Sequence, residues 1–306
     1  MSIGLPVRNG ARFLAEALDS LLAQTYRDFE LIVSDNASTD ETASICARYA
    51  GKDARIRYVR HAVNIGAPRN WSFVVTLARG RYFKWASCND RCPEYMLERC
   101  VAVLERRPDA VLCYGRTCLV DEESGLQQPY GGNIALEHER PSERFIQLLR
   151  LLQLNNPQCG LIRLEALRQT GLDRPYPGGD LPLMSELALR GTFVLLPEVL
   201  LYRRMGAGTF SHALTPAAHN DFFGKTTMPL FDILRRHRDH ALGVLRAPIA
   251  TQEEVRSLKY LARAFYWDLR CARTHYRSAT DCAASGRSAS AGLLLRRCTT
   301  SPTRRP

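Results

Sequence analysis

The chain has no apolar run approaching the ~18–20 residues that a helix needs to cross a bilayer. It opens on "MSIGLPV", with neither the charged segment nor the hydrophobic segment of a secretory leader. A soluble, cytoplasmic protein is therefore expected. The redox signature C-x-x-C is absent, and ten cysteines in a chain without a leader do not argue for a disulfide framework. Cys88 and Cys92 form a C-x3-C with no second pair and no matching histidines, which argues against a structural zinc site. Most of the thiols are expected to be small core residues. Also missing are G-x-G-x-x-G and G-x-x-x-x-G-K-[ST], so a Rossmann dehydrogenase and a P-loop NTPase are both disfavoured. No zinc finger, RNP motif or basic recognition helix is present, and no nucleic-acid partner is expected.

What is present is an ordinary globular composition. The 306 residues, 45% of them hydrophobic, suffice for one large α/β domain, alone or with an appendage. A formal charge of +11 suits anionic partners such as phospholipid headgroups or phosphorylated small molecules, or simply a solvated arginine-rich surface. Residues 287–306 hold five arginines and no acid, a pattern of a membrane-touching segment or of a disordered tail.

The hydrophobic pattern alternates between strand and helix. Ile3 to Val7 reads as a strand, and Phe13, Leu14, Ala17, Leu18, Leu21 and Leu22 then recur at helical spacing. Leu31 to Val33 makes a second strand, followed by Ser38 and Glu41 in a capping-box spacing. Two more units follow: "IRYVR" before a helix carrying Trp71, Val74 and Val75, and "RYFKWAS" before a helix begun by Pro93. Ala110 to Tyr114 is a fifth strand. Such alternation predicts right-handed crossovers and a mostly parallel sheet flanked by helices. Beyond residue 115 the rhythm breaks, with helices expected near Ser142–Gln153 and Leu181–Arg190, a strand pair at "TFVLL" and "VLLYRR", and an antiparallel section of sheet. The expected organisation is a domain over 1–205, a helical C-terminal extension over 206–278 that begins with a linker, "MGAGTFSHALTP", and a disordered basic tail over 279–306.

Ligands of open parallel sheets bind beyond the carboxyl ends of the strands. Four consecutive strand ends deliver polar groups there: Pro6, Arg8 and Asn9; Asp35, Asn36 and Asp40; Arg60, Asn64 and Gly66; and Cys88, Asn89 and Asp90. A single polar residue after a strand is usually a turn former or cap. Four clusters at one edge indicate a ligand. Without a glycine cradle, a diphosphate would need side chains or a divalent cation to neutralise it, and Asp90 is a suitable oxygen ligand for Mg²⁺ or Mn²⁺.

The segments "SIGLPVRNGARFLAEALDSLLAQTY", "ELIVSDNASTDET", "VRHAVNIGAPRNW", "RGRYFKWASCNDRCPEYMLE" and "GGDLPLMSELALRGTFVLLPEVLLYRR" strongly resemble family 2 glycosyltransferases of the GT-A fold, over roughly residues 1–205. The resemblance implies that Pro6 and Asn9 line a nucleotide site, that Asp35 receives the base, and that Asp40 lies in the same loop. It implies that Arg60, Asn64 and Gly66 form a nucleotide-contacting loop. Asn89 and Asp90 fall on the family's acidic motif, whose final carboxylate holds the cation on the diphosphate. Asp180 falls on the catalytic base.

The implied reaction is inverting transfer from a nucleotide-sugar donor, of UDP or dTDP type, to a hydroxyl-bearing glycan or lipid-linked acceptor in surface polysaccharide or glycoconjugate synthesis. Peripheral association with the inner face of the membrane is compatible with it. The chain departs from the family in having Cys88, Asn89 and Asp90 where two acids, or Asp-x-Asp, are usual. That departure allows weaker metal binding or a catalytically weakened member. A sugar nucleotidyltransferase is the other alternative, and "LPVRNGARF" lacks the glycine-rich basic loop it would need. Asp180 also has a purely structural alternative, as a helix cap.

Overall fold

The computed structural model describes residues 1–206, 222–223 and 229–284. The alternation of periods builds the elements expected from it. Strand β1 (Ser2–Val7) leads to α1 (Ala11–Leu22), β2 (Glu30–Asp35) to α2 (Thr42–Ala50), β3 (Ile56–Arg60) to α3 (Ala67–Leu77), and β4 (Tyr82–Trp85) to α4 (Met96–Arg106). Then come β5 (Ala110–Asp121), β6 (Gln127–Pro129), α5 (Pro141–Leu151), β7 (Leu161–Arg163), α6 (Leu164–Arg168), α7 (Asp180–Arg190) and β8 (Thr192–Met205). Two further helices, α8 (Pro229–Arg246) and α9 (Thr251–Ala284), close the described chain.

The sheet runs β3-β2-β1-β4-β7-β5-β6, with β8 also on β5. Strands β1 to β4 are parallel, as right-handed crossovers require. Antiparallel pairing begins at β7, which lies between β4 and β5. This is the mostly parallel, helix-flanked α/β architecture expected, with an antiparallel section at β7, β5 and β6.

Strand alternation splits the core between the two faces. Leu31, Val33 and Tyr82 join the layer under α1, α2 and α4. Ile32, Phe83 and Trp85 join the layer under α3 and α7. Gly4 permits close approach of α3, because a Cβ there would stand 2.7 Å from Val74 Cγ2.

Several local expectations are corrected. The expected strand pair at "TFVLL" and "VLLYRR" is one strand, β8, running parallel to β5 with register shifts near Gly115 and Arg116. Ser38 does not cap α2; its hydroxyl accepts from Asn9 N at 3.0 Å, and Asp40 Oδ1 accepts from Thr42 N instead. Pro93 precedes α4 by a turn, and the helix starts at Met96. Helix α9 extends to Ala284, past the expected boundary at 278, and residues 285–306 lie outside the described residues. The expected linker after Gly206 lies outside them as well.

The C-terminal helices pack onto the domain through Phe145, Leu189, Val244 and Leu261. Charged groups reinforce this seam. Glu186, 1% exposed, accepts from Arg190 at 3.1 Å and from Arg246 at 2.8 Å. A buried carboxylate needs such partners, since burial without them costs several kcal/mol.

Candidate active site

The first half of the site is a set of interlocked loops. Asn9 follows β1 with φ of 50°, and Ala37 follows β2 with φ of 57°, both in the left-handed region. Asn9 Oδ1 accepts from Thr39 N at 2.8 Å, while Arg8 reaches Ala37 O at 2.8 Å. The two loops are thus pinned side by side, with Pro6 buried in the strand behind them, paired with Ser34. Asp40 lies in the same loop and ties it to two helix starts: Oδ2 accepts from Ala11 N and Oδ1 from Thr42 N. Burial works to raise its pKa, but these hydrogen bonds outweigh it and hold the carboxyl below its usual range.

Asp35 is fully buried. Its Oδ1 accepts from Ser38 N at 2.8 Å, and its Oδ2 accepts from Tyr58 OH at 3.0 Å and lies 3.4 Å from Arg60 Nε. Arg60 also donates to Ser38 O, so it stitches the loop it faces. Asn36 Nδ2 donates to Asn64 Oδ1 at 2.7 Å, and the same oxygen takes Gly66 N at 2.8 Å. Gly66 opens α3 with φ of 84°, a conformation that favours glycine. All seven residues expected around a nucleotide therefore lie at or just beyond the ends of the adjoining strands β1, β2 and β3, together with Arg8 and Asn36 as the sequence indicated, and the structure adds Tyr58.

The second half surrounds Asp90. Its Oδ1 accepts from Arg204 N at 3.0 Å, and Arg204 Nε donates to Asn89 O. Burial raises the Asp90 pKa above the usual carboxylate value, while Arg203, the Arg204 N–H, Lys84 and the Arg204 charge all pull it down. Arg91 and Tyr202 exchange backbone hydrogen bonds, so β8 fastens the loop after β4. The first loop set abuts it too, because a Cβ on Gly10 would stand 2.8 Å from Cys88 Sγ. Burial, with Asp90 nearby, pushes the Cys88 thiol up to about 12. It remains a neutral thiol, and the seven cysteines whose side chains are described are all free.

Asp180 is the first residue of α7, and no side-chain cap is formed there. Its Oδ2 instead accepts from Asn155 Nδ2 at 2.7 Å. Asn155 also donates to Gln158 Oε1 at 2.9 Å, and Gln158 Nε2 stands 3.1 Å from both oxygens of Asp173. Burial, with the charge of Asp180 adding to it, drives the Asp173 carboxyl well above the ordinary range. The neighbouring Asn156 accepts from Arg203 Nη1 at 2.6 Å. Two consecutive amides thus link Asp180 to the arginine whose charge acts on Asp90. Asn155, Asp173, Arg203 and Arg204 had no sequence motif to reveal them.

Among the described residues no three His, Cys, Asp or Glu side chains converge as a closed metal cage. One carboxylate, Asp90, adjacent in sequence to the amide of Asn89, fits a hard cation that keeps waters and shares phosphate oxygens. It does not fit zinc or a soft metal.

The family model for glycosyl transferase family 2 matches residues 2–171. The chain belongs to glycosyl transferase family 2. It is 36% identical over 153 residues to an uncharacterised glycosyltransferase of Rickettsia bellii, a match covering 49% of this chain and 22% of that protein. It is 28% identical over 125 residues to the glycosyltransferase GlyG of Streptococcus pneumoniae, covering 41% of each. An uncharacterised protein of Mycobacterium tuberculosis is 27% identical over 255 residues, 78% of this chain and 70% of that protein. The matches thus span less than half the length of the Rickettsia and Streptococcus relatives.

Among solved structures, the fold is similar to Staphylococcus aureus TarS 1–349 in complex with UDP-GlcNAc, with a TM-score of 0.63 at 18% identity, covering 85% of this chain and 71% of that one. It is also similar to the mannosyltransferase PcManGT of Pyrobaculum calidifontis, in complex with GDP-Man and Mn²⁺, with a TM-score of 0.54 at 17% identity, covering 96% and 77%. The GT-A fold is common to all three.

Proposed function

We propose that this chain transfers a sugar, with inversion, from a nucleoside diphosphate sugar of UDP or dTDP type to a hydroxyl on a glycan or lipid-linked acceptor, in surface polysaccharide or glycoconjugate synthesis at the inner face of the membrane. The observation that carries the reading is the bridge between two carboxylates: Asp180 bonds Asn155, and the next residue bonds the arginine acting on Asp90. In-line displacement needs a base on one side of the anomeric carbon and charge stabilisation on the other. These contacts tie the segment that holds Asp180 to β8, the strand that also holds the Asp90 loop.

In this reading the loops of Pro6, Asn9, Asp35, Asp40, Arg60, Asn64 and Gly66 hold the nucleoside. Asp35 accepts from the base once Tyr58 or Arg60 gives way, because its carboxylate is fully buried and already engaged by Ser38 N, Tyr58 and Arg60. Asp90, with Asn89, holds Mg²⁺ or Mn²⁺ on the diphosphate; the ion supplies stabilisation of charge on the leaving group. Asp180 accepts the proton of the attacking hydroxyl, and Asn155 keeps its carboxylate aimed. Mn²⁺ in the PcManGT complex and UDP-GlcNAc in the TarS complex support this choice of ligand classes.

Calorimetric titration of UDP and dTDP in the presence and absence of Mn²⁺ tests the assignment of Asp90. Wild type is expected to bind a nucleotide only with Mn²⁺, and Asp90→Ala to lose that binding while keeping its circular dichroism spectrum. Equal, metal-independent affinity in both proteins would remove Asp90 from this role.

A further inference from the structure

Seven of the eleven large hydrophobic side chains that are exposed among the described residues lie on α8 and α9. On α8 they are Phe231, Leu234, Leu242 and Leu245, exposed by 51, 42, 39 and 58%. At 100° per residue these four, with Arg238 between them, fall along one side of the helix. The opposite side is the one that packs on the domain, through Asp239, His240, Gly243 and Val244, all buried. A helix with its inner face satisfied and an outer face this apolar is built to meet something.

Charge narrows what it meets. Every exposed charged residue described on the two helices is basic: Arg238, Arg246, Arg256, Lys259 and Arg263. Among the side chains described, Asp232 and Asp239 are buried and Glu253, Glu254 and Asp268 are half-buried. Arg246 turns to Glu186 in the seam, and Arg238 and Arg256 lie near Asp239 and Glu143, but a second copy of this chain would still bring Arg238, Arg256, Lys259 and Arg263 against their own counterparts. The segment 285–306 carries only positive charge as well, so its arginines are repelled by this face. An anionic bilayer accepts both components, apolar side chains at the acyl boundary and cations at the headgroups. Tyr266 and Trp267, each 54% exposed on α9, are the residue types enriched at that depth.

We infer that the outer face of the α8–α9 pair is a membrane-docking surface for anionic phospholipid. It binds in the interface plane, since no described helix is long and apolar enough to cross a membrane. Lipid binding by this face does not depend on the transferase reading, and the two fail separately.

The test uses the full-length chain with vesicles of phosphatidylglycerol and phosphatidylcholine, and with phosphatidylcholine alone. Flotation with the anionic vesicles only is expected. Tryptophan emission should shift to the blue and be quenched by brominated lipid, and Trp267→Phe should abolish both changes, because Trp85 is buried in the core and Trp71 packs against it. Leu242→Glu with Leu245→Glu should lower partitioning by at least about tenfold, since two apolar side chains leave the interface. Lys259→Glu with Arg263→Glu provides an independent second variant, expected to weaken binding to anionic vesicles several-fold. Unchanged flotation in both double variants would overturn the proposal. So would loss of flotation only when Arg296, Arg297, Arg304 and Arg305 are replaced by Glu. A dimer in solution that the leucine variant disperses, with no vesicle binding by wild type, would assign the face to a second copy and equally overturn it.

Discussion

Asn155 donates one amide nitrogen to both Asp180 Oδ2, at 2.7 Å, and Gln158 Oε1, at 2.9 Å. The carboxylate assigned as base is therefore aimed by an amide and not engaged as a helix cap. Replacing Asn155 by Leu removes the aim without altering charge. The expected outcome is a fall in kcat of about 10- to 100-fold with the donor KM within about twofold. Asn155→Gln keeps an amide donor and is expected to recover part of the lost kcat, a rescue that a merely structural defect would not show.

Asn89 stands where a second acid would strengthen a cation site. Its backbone oxygen is held by Arg204 Nε at 3.2 Å, and its side-chain oxygen accepts from the Cys88 thiol at 3.6 Å. Asn89→Asp is expected to tighten Mn²⁺ several-fold in the presence of nucleotide, because added ligand charge raises affinity for hard cations. Mn²⁺ titration at fixed UDP checks this. A weaker ion in the variant would show that the amide is not next to the cation.

Tyr176, 3% exposed, donates to Asp239 Oδ2 at 2.6 Å, and Asp239 also faces Arg174 and Arg238. The contact locks the loop before α7 onto α8. Tyr176→Phe keeps the ring and removes the donor, leaving a buried carboxylate short of one partner. A stability loss of about 1–3 kcal/mol is expected from chemical denaturation. Indistinguishable denaturation midpoints would mean that the loop is held by other contacts.

His240 is 3% exposed, and its Nδ1 lies 2.8 Å from Ser185 Oγ. Burial above all, then the nearby charges of His237 and Arg236, lower its pKa from 6.5 to about 3, with Asp268 opposing. Above pH 6.5 both folded and unfolded states carry a neutral ring. As pH falls below that value the unfolded state takes up a proton that the folded state refuses, so stability is lost progressively toward pH 3. The loss amounts to about 2 kcal/mol at pH 5. Tm measured at pH 7 and pH 5 should drop more in wild type than in His240→Gln. Equal drops would place the acid sensitivity elsewhere.

The strand ends were legible because local periodicity set β1 to β4, and parallel pairing then forced their loops to one edge. Asp35, Asn64 and Asp90 could be placed by counting along the chain. Arg203 and Arg204 could not, since β8 reaches Asp90 only by pairing parallel to β5, a contact between residues far apart in sequence. Ser38 shows the opposite failure. Its spacing to Glu41 satisfies a local capping rule, yet Asn9 N from another loop takes its hydroxyl. Asn155 and Asp173 lie in a segment without a repeating pattern, where only the fold reveals which amide meets which acid.

The most direct test of sugar transfer is turnover of a donor panel, UDP-glucose, UDP-galactose, UDP-N-acetylglucosamine, GDP-mannose and dTDP-rhamnose, with Mn²⁺, by wild type and Asp180→Asn. Release of nucleoside diphosphate is followed with and without hydroxyl acceptors. At least one UDP- or dTDP-linked donor is expected to be consumed by wild type, and Asp180→Asn should lower that rate about 10²- to 10⁴-fold while still binding the nucleotide. No release from any donor, or equal rates in the two proteins, would contradict the account.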